Sequence, residues 1–488
     1  MDNKTTINDS VASQPSVAAR IGLWLGPLWL LLVLVFPAPA GMTPEAWGCV
    51  GMVLLMATWW ATEAIPIPAT SLLPIILVPA LGIGKLGPAI AEYANPIVFL
   101  FLGGFLLGIA MQRWNLHRRI ALKVLLIMGQ QPRRQIAGFM IATGFISMWV
   151  SNTATAIMML PIGISVIGLL GKDNDPAEVE RYATALLLAI AYAASIGGIA
   201  TLIGTPPNAL LVGYLAMNHH IQIGFAQWLI VGVPVSVLMM VCAWWWLTRT
   251  GFHLQSGANG DQILRAELAK LGEMSAAENR VALVFLLAAV SWIVRPLLND
   301  IGLAWLSDTS IALIAGLLLF LLPSSSQRHT ALLDWDDAKG LPWGVLLLFG
   351  GGLAMAKVIE ASGLAEWIAA QLGIFGDLPP MLLIGLVVLV IIFLTEVTSN
   401  TATAAAFLPL LGALAVSLGM DPILITVPAA IAASCAFMMP VATPPNAIVF
   451  ATGHMKIKSM MRAGLFLNII GVPIISGVSV TLIRLGWS

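Results

Sequence analysis

Long apolar runs dominate this chain, and short polar segments interrupt them at intervals that suit membrane-crossing helices of about 20 residues each. Hydropathy predicts crossings near 21–38, 46–62, 66–83, 96–112, 182–216, 226–248, 281–303, 309–323, 342–360, 422–453 and 463–485, about 11 transmembrane helices in all. Two further apolar runs do not read as crossings. Residues 136–170 are 35 positions without a charge, and 381–418 are 38 with only Glu396. Each carries Ser-Asn-Thr in its middle, which leaves arms of about 15–17 residues, or roughly 23–25 Å of helix against a hydrocarbon core of about 30 Å. Arms that short predict re-entrant hairpins whose tips stop inside the membrane. Irregular backbone at that depth is tolerated only where protein or a water-filled cavity surrounds it, so the tips are expected to face a site.

Composition sharpens this picture. Hydrophobic side chains make up 59% of the 488 residues and charged ones 9%, where a soluble domain carries about a quarter charged. The class is therefore an all-α polytopic membrane protein. Lys+Arg and Asp+Glu are equal at 23 each, so no basic surface calls for a nucleic-acid partner. Cys49, Cys242 and Cys435 stand alone in apolar runs, with neither a disulfide framework nor a zinc spacing.

The basic residues set the orientation. Placing 1–20, 113–135, 171–181, 249–280, 324–340 and 454–462 in the cytoplasm collects 19 of the 23 Lys and Arg there. The hairpin at 136–170 is flanked by Arg133, Arg134 and Lys172 and enters from the cytoplasm, whereas 381–418 lies in a stretch, 361–455, without Lys or Arg and enters from outside. The expected location is the plasma (inner) membrane, multi-pass, with the N-terminus cytoplasmic and the C-terminus outside. Arg20, the run 21–36 and Ala38-Pro39-Ala40 have the outline of a cleavable signal, but the leader is not distinctly basic and an uncleaved first span is expected. The polar stretches 172–181, 255–280 and 324–340 read as solvated loops or surface helices.

Three markers recur in the same order in both halves. Gly103-Gly104 returns as Gly351-Gly352, Ser151-Asn152-Thr153-Ala154-Thr155 as Ser399-Asn400-Thr401-Ala402-Thr403, and Thr205-Pro206-Pro207-Asn208-Ala209 as Thr443-Pro444-Pro445-Asn446-Ala447. The first two pairs are offset by 248 residues and the third by 238. An odd number of crossings separates equivalent points, so the second copy is upside down. The organisation is a tail at 1–20, a first inverted repeat at 21–248 (hairpin 136–170, broken helix 182–216), a linker at 249–280, and a second inverted repeat at 281–488 (hairpin 381–418, broken helix 422–453). Inverted repeats with interrupted helices near the midplane are the architecture of secondary transporters.

Each Ser-Asn-Thr precedes a helical arm with residues favoured at helix N-termini, and each Thr-Pro-Pro-Asn restarts an interrupted helix with proline in its first turn. Four helix N-termini converging on one cavity offer free N–H groups and positive dipole ends to an anion. The hairpins and breaks hold no Lys, Arg or His. Dipole ends supply only about half a charge each, so a divalent anion calls for mobile cations alongside. Sodium suits hydroxyl, amide-oxygen and carbonyl ligands, and two facing polar tips suit a short dicarboxylate.

These residues carry a resemblance. Residues 433–449, Ala-Ser-Cys-Ala-Phe-Met-Met-Pro-Val-Ala-Thr-Pro-Pro-Asn-Ala-Ile-Val, fit the sodium:anion symporter signature of the divalent anion:sodium symporter family, whose members carry di- and tricarboxylates with sodium. Trp59-Trp60-Ala61-Thr62-Glu63-Ala64-Ile65-Pro66, Met148-Trp149-Val150-Ser151-Asn152-Thr153 and Thr395-Glu396-Val397-Thr398-Ser399-Asn400-Thr401 are also similar to family segments. The resemblance, over roughly 20–488, implies a homodimeric elevator-type transporter embedded in the lipid bilayer, with no cofactor beyond sodium as coupling ion. It implies that Ser151, Asn152, Thr153, Ser399, Asn400 and Thr401 hold the carboxylates, aided by Thr205, Pro206, Thr443 and Pro444. It implies one sodium with Ser147, Ser151, Asn152 and backbone near Gly204, and another with Thr395, Thr398, Asn400 and the Ala442 carbonyl. Ser147 and Thr395 each stand one helical turn before their Ser-Asn-Thr, an independent reason to pair them.

The expected function is sodium-coupled symport of C4 dicarboxylates such as succinate, malate or fumarate. A sodium-independent dicarboxylate exchanger and a citrate or sulfate symporter on the same fold are the rivals. An intramembrane hydrolase lacks HExxH, GxSxG or a histidine near either serine in sequence, and a channel does not need occluding hairpins. Glu396 reads as a cation-tuning or proton-carrying group, or as a hydrogen-bond partner beneath the tip. Lys357 is expected to snorkel or pair with Glu360, and Trp244-Trp245-Trp246 to sit at the membrane interface.

Overall fold

Prolines decide where many of the apolar helices start. In the computed structural model, which describes residues 16–129, 131–170, 174–254, 260–325, 330–371 and 378–487, Pro44, Pro96, Pro132, Pro176, Pro206, Pro380 and Pro444 each open a helix. Proline has no N–H to lose in a first turn, and its φ is already helical. Thr43, Asn95, Asp175 and Thr443 precede four of these prolines and accept a backbone N–H from the turn. Residues 1–15 of the tail, Lys172 and parts of the polar stretches at 172–181, 255–280 and 324–340 lie outside the described residues.

Among the described residues the fold is helical, with one isolated bridge between Pro323 and Ala331. Nine helices there are long and apolar enough to cross a membrane. The hairpins are Pro132–Ser147 with Asn152–Leu170, and Pro380–Thr395 with Asn400–Ser417. Their second arms, of 19 and 18 residues, are longer than expected and count among the nine. The broken helices are Pro176–Ile199 with Pro206–Asn218, and Ile423–Ala433 with Pro444–Phe450. Each restarted half packs on the other repeat's hairpin, Pro206–Asn218 against Asn400–Ser417 and Pro444–Phe450 against Asn152–Leu170.

The crossing expected at 66–83 is two short helices, Ile67–Thr70 and Leu73–Ala80. Pro66 caps the first of them, and Pro68 and Pro74 stand in the first turns of the two, where proline starts a helix and disfavours helical backbone in the residue before it. Its counterpart in the other half, Asp308–Leu321, is also short. These two elements explain the glycine markers. A Cβ on Gly103 would collide with the Ala312 backbone, and one on Gly351 with the Ser71 carbonyl. Pro96–Arg113 and Trp343–Ala361 therefore meet the opposite repeat backbone to backbone, which only glycine permits.

Charges tie the scaffold at its ends. Lys357 Nζ pairs with the buried Glu92 at 2.7 Å, not with Glu360, which accepts from Asn218 instead. Sequence separation of 265 residues hid that partner. The linker helix Gly260–Lys270 meets Leu116–Met128 through Arg118 and Glu267 at 2.5 Å. Beside it, buried Arg119 places Nε 2.5 Å and Nη2 3.1 Å from the two Glu278 oxygens, and donates to the Gly272 carbonyl at 2.9 Å. Glu278 also closes the capping box with Ser275 that starts Ala276–Asp300.

Removing one partner of a buried ion pair strands the other charge. Arg119→Ala is expected to destabilise the purified protein by about 3–5 kcal/mol, read as a lower thermal unfolding midpoint in detergent. The exposed pair of Lys339 and Asp336 supplies the control: Lys339→Ala should leave the midpoint unchanged.

Candidate functional site

Each hairpin tip is a helix end forced to stop in an apolar setting, so its polar groups need partners within the protein. In the first repeat Ser147, fully buried, closes the rising arm, and Asn152 opens the descending one. Ser147 Oγ lies 2.6 Å from Asn152 Oδ1 and 2.6 Å from the Ala194 carbonyl. In the second repeat Thr395 Oγ1 lies 2.7 Å from Asn400 Oδ1 and 2.9 Å from the Ala433 carbonyl. Both clusters set three oxygens together around one hydroxyl proton. A hydroxyl donates once, so one close oxygen pair in each cluster has no proton between its atoms.

The break of the first broken helix adds to its cluster. A Cβ on Gly198 would stand 2.8 Å from Asn152 Oδ1 and 2.9 Å from the Gly204 carbonyl oxygen. That backbone oxygen therefore borders the same space as the Asn152 amide. Gly197 and Gly144 meet backbone to backbone, a contact that any side chain would push apart, and so hold the rising arm against Pro176–Ile199 at the depth of Ser147.

The two breaks are braced differently. Asn208 Nδ2 donates to the Thr201 carbonyl at 2.8 Å and the Ile199 carbonyl at 3.3 Å. Asn446 Nδ2 donates to the Met439 and Ala436 carbonyls at 3.1 and 3.2 Å. Both asparagines are fully buried, and both keep an amide oxygen without a hydrogen-bond partner. Thr201 Oγ1 donates to the Met148 carbonyl at 2.5 Å. At the position equivalent to Met148 stands Glu396, buried, which accepts from the N–H groups of Phe437, Met438 and Met439 at 2.7, 2.9 and 3.0 Å and from Asn468 Nδ2 at 2.8 Å. Glu396 is thus the hydrogen-bond partner beneath the tip, its oxygens occupied by the backbone of the break.

The structure brings most of the motif residues together. Thr205 Oγ1 and Ser434 Oγ approach to 3.2 Å, so the breaks of the two repeats touch. Ser151 is exposed, and its Oγ accepts from the Ala154 N–H at 3.3 Å. Asn152, Thr153, Ser399 and Asn400 are half-buried, while Thr205, Thr401 and Thr443 are buried. Pro206 and Pro444 open the restarted halves beside Gly204 and Ala442. Thr398, half-buried, places its Oγ1 2.6 Å from Thr403 Oγ1 and 2.9 Å from the Leu394 carbonyl. Two cavities, of about 480 and 580 Å³, lie away from the tips. Sequence reasoning quoted Asn208 and Asn446 in their motifs but gave them no role. Their recurrence at the same place in both repeats was the signal available.

Two hairpins of opposite orientation, each docked on a broken helix, define a secondary transporter built from inverted repeats. Residues 22–487 match the sodium:sulfate symporter transmembrane region, and the chain belongs to that family, the divalent anion:sodium symporters. It is 44% identical over 469 residues to the sodium-dependent dicarboxylate transporter SdcS of Staphylococcus saprophyticus, covering 94% of this chain and 90% of that one. It is 43% identical over 484 residues to SdcS of Staphylococcus aureus strain USA300, covering 96% and 92%. Among solved structures, the YdaH transporter of Alcanivorax borkumensis matches with a TM-score of 0.56 at 14% identity, over 96% of this chain and 99% of that one. MtrF of Neisseria gonorrhoeae matches with 0.57 at 13%, over 95% of each. At such identity the likeness is one of fold. The family is one of transporters, not enzymes.

Glu396→Ala would leave three break N–H groups and the Asn468 amide without their acceptor, at about 1–3 kcal/mol for each donor that water does not reach. A fall in unfolding midpoint of several degrees is expected, larger than for Glu396→Gln, which keeps one acceptor oxygen. Equal melting of Glu396→Ala and the unaltered protein would place the support of the break elsewhere.

Proposed function

We propose that this protein is a sodium-coupled symporter of short dicarboxylates, with C4 acids such as succinate, malate and fumarate as substrates. The observation that carries the reading is the pair of matching oxygen clusters, at Ser147, Asn152 and Ala194 and at Thr395, Asn400 and Ala433, each with more oxygen acceptors than protons. A small monovalent cation relieves that crowding without a fixed carboxylate, and neutral oxygen ligands suit sodium. On this reading Gly204 completes the first sodium site, with Ser151 nearby, and Ala442 and Thr398 belong to the second.

The anion then rests on the N-terminal turns that begin at Asn152, Asn400, Pro206 and Pro444. Ser151, Thr153, Ser399, Thr401, Thr205 and Thr443 provide hydroxyls around it. Asn152 and Asn400 contribute the oxygen to the cation and the helix N–H to the carboxylate, so each ion organises the other's ligand. The SdcS relatives carry the name of sodium-dependent dicarboxylate transporters, which favours dicarboxylate over citrate or sulfate. The elevator motion, the homodimer and the inner-membrane location are read from the family resemblance. The concentration of basic residues in the loops supports a cytoplasmic N-terminus and an external C-terminus.

Uptake of labelled succinate into proteoliposomes tests this directly. An inward sodium gradient should drive accumulation, and replacing sodium with choline should abolish it. Succinate counterflow that persists in choline would establish the sodium-independent exchanger instead. Asn152→Ala and Asn400→Ala should each lower sodium-driven uptake at least about tenfold, since losing one good ligand amounts to roughly 1.4 kcal/mol or more. Both variants should retain the unaltered protein's elution profile, and unchanged uptake in either would overturn the assignment of that asparagine. Unlabelled malate, fumarate, citrate and sulfate as competitors rank the substrates.

A further inference from the structure

Outside the transport site, the basic-rich face carries a cavity of about 480 Å³ where Pro176–Ile199, Phe225–Thr248 and Ile457–Pro473 meet. Arg181, Arg249, Lys456, Arg462, Trp246 and Glu180 are among its walls. Arg181 pairs with Glu178. Among the described residues no acid forms an ion pair with Arg249, Lys456 or Arg462, so the cavity keeps surplus positive charge.

The geometry holds that charge in place. The Arg249 guanidinium lies 3.2 Å from the Trp246 ring centroid and donates to the Trp246 carbonyl at 3.0 Å. Trp246 in turn stacks on Phe466 at 4.0 Å and 6°. Burial and then the nearby Arg462 charge hold the Arg249 guanidinium below its ordinary value, which marks two cations kept close together.

What lies beside the cavity is apolar. Val237, Val241 and Trp245 are exposed at four-residue spacing along one helix, and Met461, Leu465 and Ile469 along the other. Residues four apart share a helix face, so each set is a ridge. The helices run in opposite directions from the cavity's edge, with Trp245 beside Phe466 and Met239 reaching Gly471. Trp245 and Phe466, 6.0 Å apart, join the ridges. Tryptophan at this position marks the level of the headgroups.

We propose that this cavity binds the phosphodiester headgroup of an anionic glycerophospholipid, with the acyl chains lying along the two ridges. Basic pockets between membrane helices are suited to such headgroups. The ridges favour a lipid over a soluble phosphate, which would gain nothing from them. No residue of the cavity belongs to the transport site, so the lipid is a ligand distinct from the cargo.

Native mass spectrometry of the full-length protein in detergent tests this with three probes: phosphatidylglycerol, phosphatidylcholine of the same chains, and inorganic phosphate. Phosphatidylglycerol should be retained in preference to phosphatidylcholine, and Arg249→Gln combined with Arg462→Gln should weaken its retention on the order of tenfold. Ser459→Glu, which adds a negative charge to an exposed wall position and leaves both arginines in place, should do the same if the double variant is poorly folded. Lys339→Gln, elsewhere on the same face, should change nothing. Equal retention of both lipids, or unchanged retention in Ser459→Glu and in a folded double variant, would overturn the site. Displacement of phosphatidylglycerol by inorganic phosphate at equal concentration would overturn the lipid as its occupant.

Discussion

A helix that stops inside a membrane must find hydrogen-bond partners for its last carbonyls and first N–H groups within the protein, because lipid offers none. This chain stops helices there four times, at two hairpin tips and two breaks. Most of what is unusual in its sequence follows from that constraint. Asn208 and Asn446 send amide N–H groups to carbonyls of the two breaks, and Ser147 and Thr395 reach from the tips to the carbonyls of Ala194 and Ala433. On the proposed reading, Ser147 and Thr395 also belong to the cation sites, so structural repair and ligand binding draw on some of the same side chains, and a substitution there acts on both.

The two repeats meet the same need with opposite chemistry. At the first tip the backbone oxygen of Met148 is the acceptor and Thr201 the donor. At the equivalent place in the second, Glu396 accepts from three consecutive N–H groups of the break. A carboxylate suits successive amides that point one way, as at a helix N-terminus, whereas a single hydroxyl suits a turn with one spare carbonyl. The duplication is thus symmetric in its oxygen clusters and asymmetric in its supports. The Glu396 carboxylate is directed at three backbone amides of the break and at the Asn468 amide.

Much of this was legible in the sequence because it rests on local rules. Proline and N-cap chemistry mark the restarts, hydropathy marks the spans, and two identical pentapeptides mark the tips. The parts that were not legible depend on distant partners. Nothing local ties Lys357 to Glu92, 265 residues away, when Glu360 stands one turn along. The split of the span at 66–83 follows from prolines visible in the sequence, but its purpose, the close approach of Ser71 to Gly351, appears only in three dimensions. The meeting of Thr205 with Ser434, 229 residues apart, joins one repeat to the other, and the likeness of the two repeats does not say where they touch.

Coupling follows from where the asparagines sit. Asn152 and Asn400 are each the first residue of a helical arm and a corner of an oxygen cluster. On the proposed reading, a cation that fixes the amide oxygen also fixes the turn whose N–H groups face the carboxylate. An anion bound at that turn holds the oxygen in position for the cation. Reciprocal gains of this kind are one coupling free energy seen from two sites. Had lysine or arginine neutralised the substrate, its affinity would not depend on the sodium gradient, and the gradient could do no work on it. On that reading, the absence of Lys, Arg and His from 136–170, 381–418 and the two breaks is what makes the second ion necessary.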